Sequence, residues 1–443
     1  MHYKLEKPDL SNVDKEKAIK LLISERKEEL FPLIDETMEP VYQYWDKVKY
    51  KSLPLGISAE EFWFLVKTIR EAQFARSPIR TETGENFKWL KLPRLEKFLH
   101  EIDLNMGGNL FSFSKDINDK TKYKFISKGV MEEAIASSQL EGAVTTRKLA
   151  KQMLREGKKP KTISEHMIVN NYEAIKLIEE DYKNKKLDLA LLLELHRIIT
   201  KNTQVNPGDQ GRLRLDSDEI IVANEENLIY HEPPSEKFVK IEIERFIAFA
   251  NDDLEEAFLH PVIKAIMLHF WIGYLHPFVD GNGRLARLMF YWYLLKKNYW
   301  AFAYLPISRT IKRAHAQYIK AYVYTEQDEQ DLTYFIDYNT RKIELARREF
   351  DDYLSDQSRK NSQMGAIAKS KHELNDRQIK LLQYLCDNPD GRTAIRAHMS
   401  INDISRMTAF NDLKYLENNK FLFSKKIGRE VFYYGAEKIK ELF

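Results

Sequence analysis

A mainly helical fold is what this sequence of 443 residues predicts, and three observations carry that reading. Apolar residues recur at three-and-four spacing in one window after another, the period of helices that bury a single face. Strand-like alternation is confined to two stretches, 212–222 and 421–435. The composition, 43% hydrophobic and 31% charged, is that of a folded globular chain rather than a disordered one.

The elements follow in order. Residues 14–50 read as charged amphipathic helix and 59–75 as another. A turn-rich patch covers 77–85, and a short helical run, 92–104, ends where glycines follow Met106. Together they make a helical N-terminal module, 1–125. The stretch 128–141, KGVMEEAIASSQLE, is rich in helix formers and stops at Gly142. Ser137 and Glu141 lie four apart within it and so share a face. Helices are expected at 164–181 and 187–201, and His196 in the second reads as a satisfied core histidine. After a break from Pro207 to Gly211 comes RLRLDSDEIIV, whose alternation signals a strand. Two strongly apolar helices, 262–274 and 285–295, flank a short polar motif. Further helices at 308–324 and 332–352 complete the body. Residues 355–371 are polar and poor in large apolar side chains, and read as a linker or a frayed helix end. From 372 to 443 a small separate domain is expected, with helices at 375–385, 393–398 and 404–418 and then a hairpin around Gly428. Three helices and a hairpin resemble a winged helix-turn-helix.

Composition excludes several classes. The single cysteine, Cys386, rules out an internal disulfide framework and fits a reducing cytosol. The first twenty residues are charged throughout, unlike a secretory signal. The most apolar long window, 261–280, is interrupted by Lys264, His269 and His276, so no membrane span is expected. A cytoplasmic location follows. Neither HExxH nor paired CxxC spacing occurs, which argues against zinc. Net charge is +3, and the whole excess lies from Lys371 onward, where 13 basic residues face 10 acidic ones. A surplus that small does not by itself point to nucleic acid.

The chemistry concentrates in His276 to Arg287, HPFVDGNGRLAR. Pro277 disfavours helix at His276, so the preceding helix should stop there. Gly281 and Gly283 allow tight turning and close approach of backbone amides to a ligand. Unpaired N–H groups and the dipole at the start of the next helix make an anion site. Arg284 and Arg287, three apart, share the face that can reach this anion. Asp280 is a hard oxygen donor where a magnesium ion bridging phosphates would need one. His276 is the group of the motif able to accept a proton near neutral pH.

This motif closely resembles the signature of the Fic (filamentation induced by cAMP) family, HPFx(D/E)GNGRxxR, at every position. SSQLEG, upstream, is similar to the family's inhibitory pattern (S/T)xxxE(G/N), in the subclass that carries it N-terminal to the signature. The resemblance implies a helical Fic core at 126–354 with a β-hairpin flap and an inhibitory helix at 128–142. It implies a protein adenylyltransferase that moves AMP from ATP to a Ser, Thr or Tyr hydroxyl of a target protein, with magnesium or manganese. His276 would be the base and Asp280 the metal ligand. Gly281, Asn282, Gly283, Arg284, Leu285, Ala286 and Arg287 would bind ATP, with Tyr318 against the adenine. Tyr318 and Tyr322 also fit a core stripe. Glu141, with Ser137, would hold Arg287 away from the ATP γ-phosphate.

The region 212–234 resembles the flap, whose exposed edge could accept an extended target segment as an added strand. Removal of AMP by the same site is a second activity the resemblance implies. A DNA-binding regulator whose core only senses nucleotide is the rival reading, and the intact His276 argues against it. For 372–443, DNA binding stands beside a dimerising or target-docking role. Arg406 and Lys414 share its third helix with Asp412 and Glu417, while Lys425, Lys426 and Arg429 make the wing basic.

Overall fold

The structure, a computed structural model, describes residues 1–106, 119–254, 257–387, 391–402, 404–427 and 430–442. The chain divides into two compact units, Met1–Arg347 and Arg348–Phe443.

The first unit begins with α1 (Lys15–Ile23), α2 (Lys27–Asp35) and α3 (Trp45–Val48). The single helix expected over 14–50 is thus broken twice. Asp14 caps the first segment, and Ser24, extended, ends it by returning its hydroxyl to the Leu21 carbonyl. A capping box of Ser58 and Glu61 starts α4 (Ala59–Glu71). The turn-rich patch proves to be the bend of an antiparallel hairpin, β1 (Ala75–Arg80) with β2 (Asn86–Trp89). Next comes α5 (Pro93–Met106); the glycines after Met106 lie outside the described residues. This N-terminal part is fused to the rest of its unit. Tyr42 donates to Asp331 at 2.7 Å, and the Leu90 amide donates to Thr333 at 2.9 Å.

Helix α6 (Asp119–Leu140) contains the expected 128–141 segment. Two helices not anticipated from periodicity are α7 (Arg147–Glu156) and α10 (Glu236–Ala250), each with a Thr or Ser cap. Between them lie α8 (Ile163–Glu180), α9 (Leu189–Thr200), and a short hairpin of β3 (Val222–Ala223) and β4 (Ile229–His231). At the centre, α11 (Pro261–Leu275) packs along α12 (Asn282–Lys296). Both are buried nearly all round, which is why their sequences are apolar rather than amphipathic. Helices α6, α8, α9 and α10 pack around this pair. The helix expected at 308–324 is split into α13 (Ile307–Lys312) and α14 (His315–Gln327). Helix α15 (Thr333–His372) runs through 355–371, so of the two readings of that stretch, linker or helix end, it is the helical one that holds.

The second unit holds α16 (Asp376–Asp387), β5 (Arg392–Ala394), α17 (Ile395–Asn402), α18 (Arg406–Asn418), β6 (Leu422–Ile427) and β7 (Glu430–Gly435). The sheet order is β5-β7-β6, with a core that includes Leu382, Leu413, Leu416 and Phe421. Gly428 and Arg429 of the expected wing lie outside the described residues. Asp412, expected on the open face of α18, is instead buried, bound by Arg377, Asn375 and His398. Among the described residues, no helix is long and apolar enough to cross a membrane.

Candidate active site

The motif lies where α11 ends and α12 begins. His276 closes α11 in the left-handed conformation, φ +45°, and Pro277 after it keeps the helix from continuing. Its Nδ1 sits 3.3 Å from the Gly273 carbonyl. An imidazole nitrogen facing a carbonyl must carry the hydrogen, which leaves Nε2 with its lone pair. Burial, with the neighbouring His231 adding to it, lowers the His276 pKa to about 4. The ring is therefore a neutral acceptor at neutral pH.

The loop from Phe278 to Gly281 is held from within and from beneath. Both ends of the Asn282 amide are taken by Phe278: its oxygen accepts from the Phe278 amide at 3.0 Å, and its nitrogen donates to the Phe278 carbonyl at 2.7 Å. The Asn282 side chain thus shapes the loop, using its oxygen and one of the two N–H hydrogens of its amide. His196 stacks on Phe278, ring centroids 3.7 Å apart, and donates from Nε2 to the Asp280 carbonyl at 2.8 Å. Its Nδ1 accepts from the Gly211 amide at 3.0 Å, and burial lowers its pKa to about 4, so it too is neutral. The core-histidine reading holds. Sequence alone gave no sign that this ring carries the loop. At Gly281, φ +85°, a Cβ would come within 2.7 Å of the Thr200 methyl, so the turn needs glycine.

At the start of α12, the amides of Asn282, Gly283 and Arg284 precede the first intrahelical bond, made by Leu285 to the Gly281 carbonyl. Leu285 and Ala286 are fully buried and lie beyond the unpaired amides, so neither has a donor to give a ligand. The two arginines part company. Arg284, fully buried, donates to the Ile199 carbonyl at 2.7 Å and to Asp280 at 3.0 Å. Arg287 turns to α6: Nε donates to the Ser137 hydroxyl at 2.8 Å, and Nη2 to the Ser137 carbonyl and the Glu141 carboxylate, both at 3.0 Å. Burial opposes charge on both partners. Each nevertheless strengthens the other's ionisation, so the Glu141 pKa is lowered and that of Arg287 raised.

Glu141 is placed by the end of its helix. Gly142, φ +91°, turns the chain, and the Ala143 amide closes on the Ser138 carbonyl at 3.0 Å. A Cβ at Gly283 would collide with the Glu141 carboxylate. That carboxylate therefore lies over the first turn of α12, in the anion site itself.

Asp280 is half-exposed and binds Arg284 through Oδ2. Among the described residues no group of three His, Cys, Asp or Glu could hold a metal. A single carboxylate still fits magnesium, which takes one or two protein oxygens and completes its shell with phosphate and water.

Tyr318 fits the core stripe expected of it and Tyr322. It is buried among His269, Tyr322, Phe335 and Tyr338, and its hydroxyl shares a hydrogen with His269 at 2.7 Å. Packing of α14 against α11 takes the ring as core.

The flap is smaller than the alternation suggested. Arg212 is drawn to Asp209 and Asp218, and Arg214 turns inward, so 212–215 forms no strand. Strand β4 pairs with β3 on one side. On the other it pairs with the first residues of the sequence: Ile229 donates to Met1 at 2.9 Å and accepts from Tyr3 at 2.8 Å. The inner edge of the flap is thus occupied, and among the described residues β3 has the open one. His231, at the end of β4, binds Glu326 at 2.6 Å and the Tyr274 carbonyl at 2.7 Å, its ring centroid 6.4 Å from that of His276.

Residues 186–294 match the family model described as Fic/DOC. The chain carries a Fic domain. Similar proteins include a "Protein adenylyltransferase Fic" of Culex quinquefasciatus, 26% identical over 294 residues, or 65% of this chain and 54% of that one. A Drosophila virilis protein of the same name is 32% identical over 141 residues, covering 31% of this chain and 27% of its own length. The chain spans about half the length of the curated relatives it matches, or less. Among solved structures, Fic-1 from C. elegans aligns over 77% of this chain and 88% of its own, at 16% identity and TM-score 0.49. A Fic family protein from Desulfovibrio desulfuricans G20 covers 78% and 95%, at 19% identity and TM-score 0.48. The matched span holds the Fic signature, the flap and α9, and Glu141 lies outside it.

Proposed function

We propose that this protein is a protein adenylyltransferase, held inactive by Glu141. The observation that carries the reading is the Glu141 carboxylate lying over the first turn of α12 while paired with Arg287. A helix N-terminus with an arginine beside it is built for phosphate, and here a carboxylate of the same chain takes that place.

With Glu141 withdrawn, ATP binds with its phosphates on the amides of residues 282–284 and its γ-phosphate on Arg287. Asp280 would hold magnesium, which when bound neutralises phosphate charge. His276 Nε2 accepts the proton of a target Ser, Thr or Tyr hydroxyl. The hydroxyl oxygen attacks the α-phosphorus in line, the bond from that phosphorus to the bridging oxygen breaks, and pyrophosphate leaves. An extended target segment lies along the open edge of β3, since β4 is already paired. Residues 126–354 form the catalytic core, and 372–443 is a winged-helix-like appendage that docks a protein or DNA. Incubating the full chain with labelled ATP and a lysate tests this. Labelled protein is expected from the Glu141→Gly variant, and none when His276→Ala is added. Transfer that persists at more than half the rate without His276 would remove it as base.

A further inference from the structure

The group that fixes His276 lies 62 residues before it, in a stretch the sequence marks only as alternating. Arg214 is buried, and its guanidinium faces three backbone carbonyls at once. Nε donates to the His276 carbonyl at 2.7 Å, and Nη2 donates to Leu275 at 3.3 Å and to Pro234 at 2.5 Å. The Arg214 amide donates to the Pro277 carbonyl at 2.9 Å. Leu275, His276 and Pro277 are the last residues of α11 and the turn after it, whose carbonyls have no partners in the helix. Pro234 ends the segment leaving β4. One side chain therefore ties the base of the flap to the backbone of the residue that must accept the proton.

We infer that Arg214 is the positioning residue of this site, setting the left-handed backbone of His276 and with it the aim of Nε2. The inference rests on the reading of His276 as base. A left-handed non-glycine residue is held only where its surroundings impose it, and Arg214 is the buried charged donor that reaches this turn. Its charge also acts on the ring, as do His231 from the flap and Glu141 from α6. Arg214 and His231 disfavour the imidazolium, and Glu141 favours it.

The test uses the full chain carrying Glu141→Gly, so that self-modification is measurable, with Arg214→Gln and Arg214→Lys added separately. A misplacement of about 1 Å costs ~100-fold. The single-turnover rate with saturating ATP should therefore fall about 100-fold in Arg214→Gln, while the ATP dissociation constant stays within about threefold of the parent. Arg214→Lys keeps the charge but not the fork that spans several carbonyls, and should lose at least about tenfold. NMR titration should show His276 taking up its proton at higher pH in Arg214→Gln than in the parent, and unmoved in Arg214→Lys. A folded Arg214→Gln with a rate within threefold of the parent overturns the inference. So does a loss confined to ATP affinity, or the failure of both variants to fold, which would make Arg214 a residue of stability alone. The reading of the base fails separately, if His276→Ala retains transfer.

Discussion

At the scale of single residues, the site works by committing nearly every polar group before ligand arrives. Asn282 is spent on Phe278, His196 on Asp280 and Gly211, and Arg284 on Ile199 and Asp280. What stays available is the Nε2 lone pair of His276, the amides beneath Glu141, and the unpartnered Arg284 Nε and Arg287 Nη1. This predicts a pH behaviour with a definite sign. The His276 pKa is lowered from 6.5 to about 4, so below 6.5 the unfolded chain binds the proton that the folded one refuses. Stability from this group is complete above about 6.5 and is lost as pH falls towards 4. The lowered pKa of Glu141 acts in the same direction at lower pH, its contribution lost as the carboxylate protonates. NMR titration of the folded protein should show His276 neutral down to about pH 5, and an imidazolium forming near 6.5 would contradict the account. The motif's role was legible because His, Gly, Asp and Arg each carry chemistry in their type. The positions of Asn282 and Arg284 were not, because a side chain's type does not tell whether the backbone or a ligand will claim it.

At the scale of elements, α6 is moored along its length rather than resting on the site. Glu132 pairs with Arg147 and Lys151 of α7. Glu133, fully enclosed, accepts from the Tyr291 hydroxyl and the Ser308 amide, both at 2.9 Å, and from the Ser308 hydroxyl. Ser138 donates to the Met167 carbonyl of α8. Release of Arg287 is accordingly a matter of the last turn of α6 and the Glu141 side chain, with the helix body left in place. Replacing Glu133 by Ala strands the amide and hydroxyl of Ser308 in the core, at roughly 1–3 kcal/mol each, while the Tyr291 hydroxyl keeps the Leu305 carbonyl at 2.7 Å. The thermal midpoint should fall by several degrees in differential scanning fluorimetry, with self-modification rising as the mooring loosens. An unchanged midpoint would show that α6 is not held there. Periodicity located α11 and α12 because each has a strong apolar pattern, and helix formers with the Gly142 stop located the end of α6. It ran α1 to α3 together because charged residues continue across both breaks, and it missed the β1–β2 hairpin because Ser77 to Glu85 reads as turn chemistry on either account.

At the scale of the molecule, every group proposed for catalysis or inhibition belongs to the first unit. Removing residues 371–443 should leave self-modification of a Glu141→Gly background within about twofold of the full chain, and a larger loss would place part of the machinery in the second unit. That unit shows why charge counting was an uncertain guide: with Asp412 buried, α18 carries Arg406, and Lys414 paired with Glu417 at 3.0 Å, beside exposed Met407 and Phe410. A basic face suits phosphates and an apolar one suits protein. The proposed inhibition turns on one contact between residues 146 positions apart. The measurement that tests it most directly compares self-modification from labelled ATP in the wild type, Glu141→Gly, Arg287→Ala and the double variant, each checked for folding. Breaking a pair of this kind costs a few kcal/mol, and each 1.4 kcal/mol is about tenfold in rate. Glu141→Gly should therefore exceed the wild type by about tenfold or more, while Arg287→Ala and the double variant should both fall below it. A folded Glu141→Gly that transfers no faster than the wild type would contradict inhibition by Glu141.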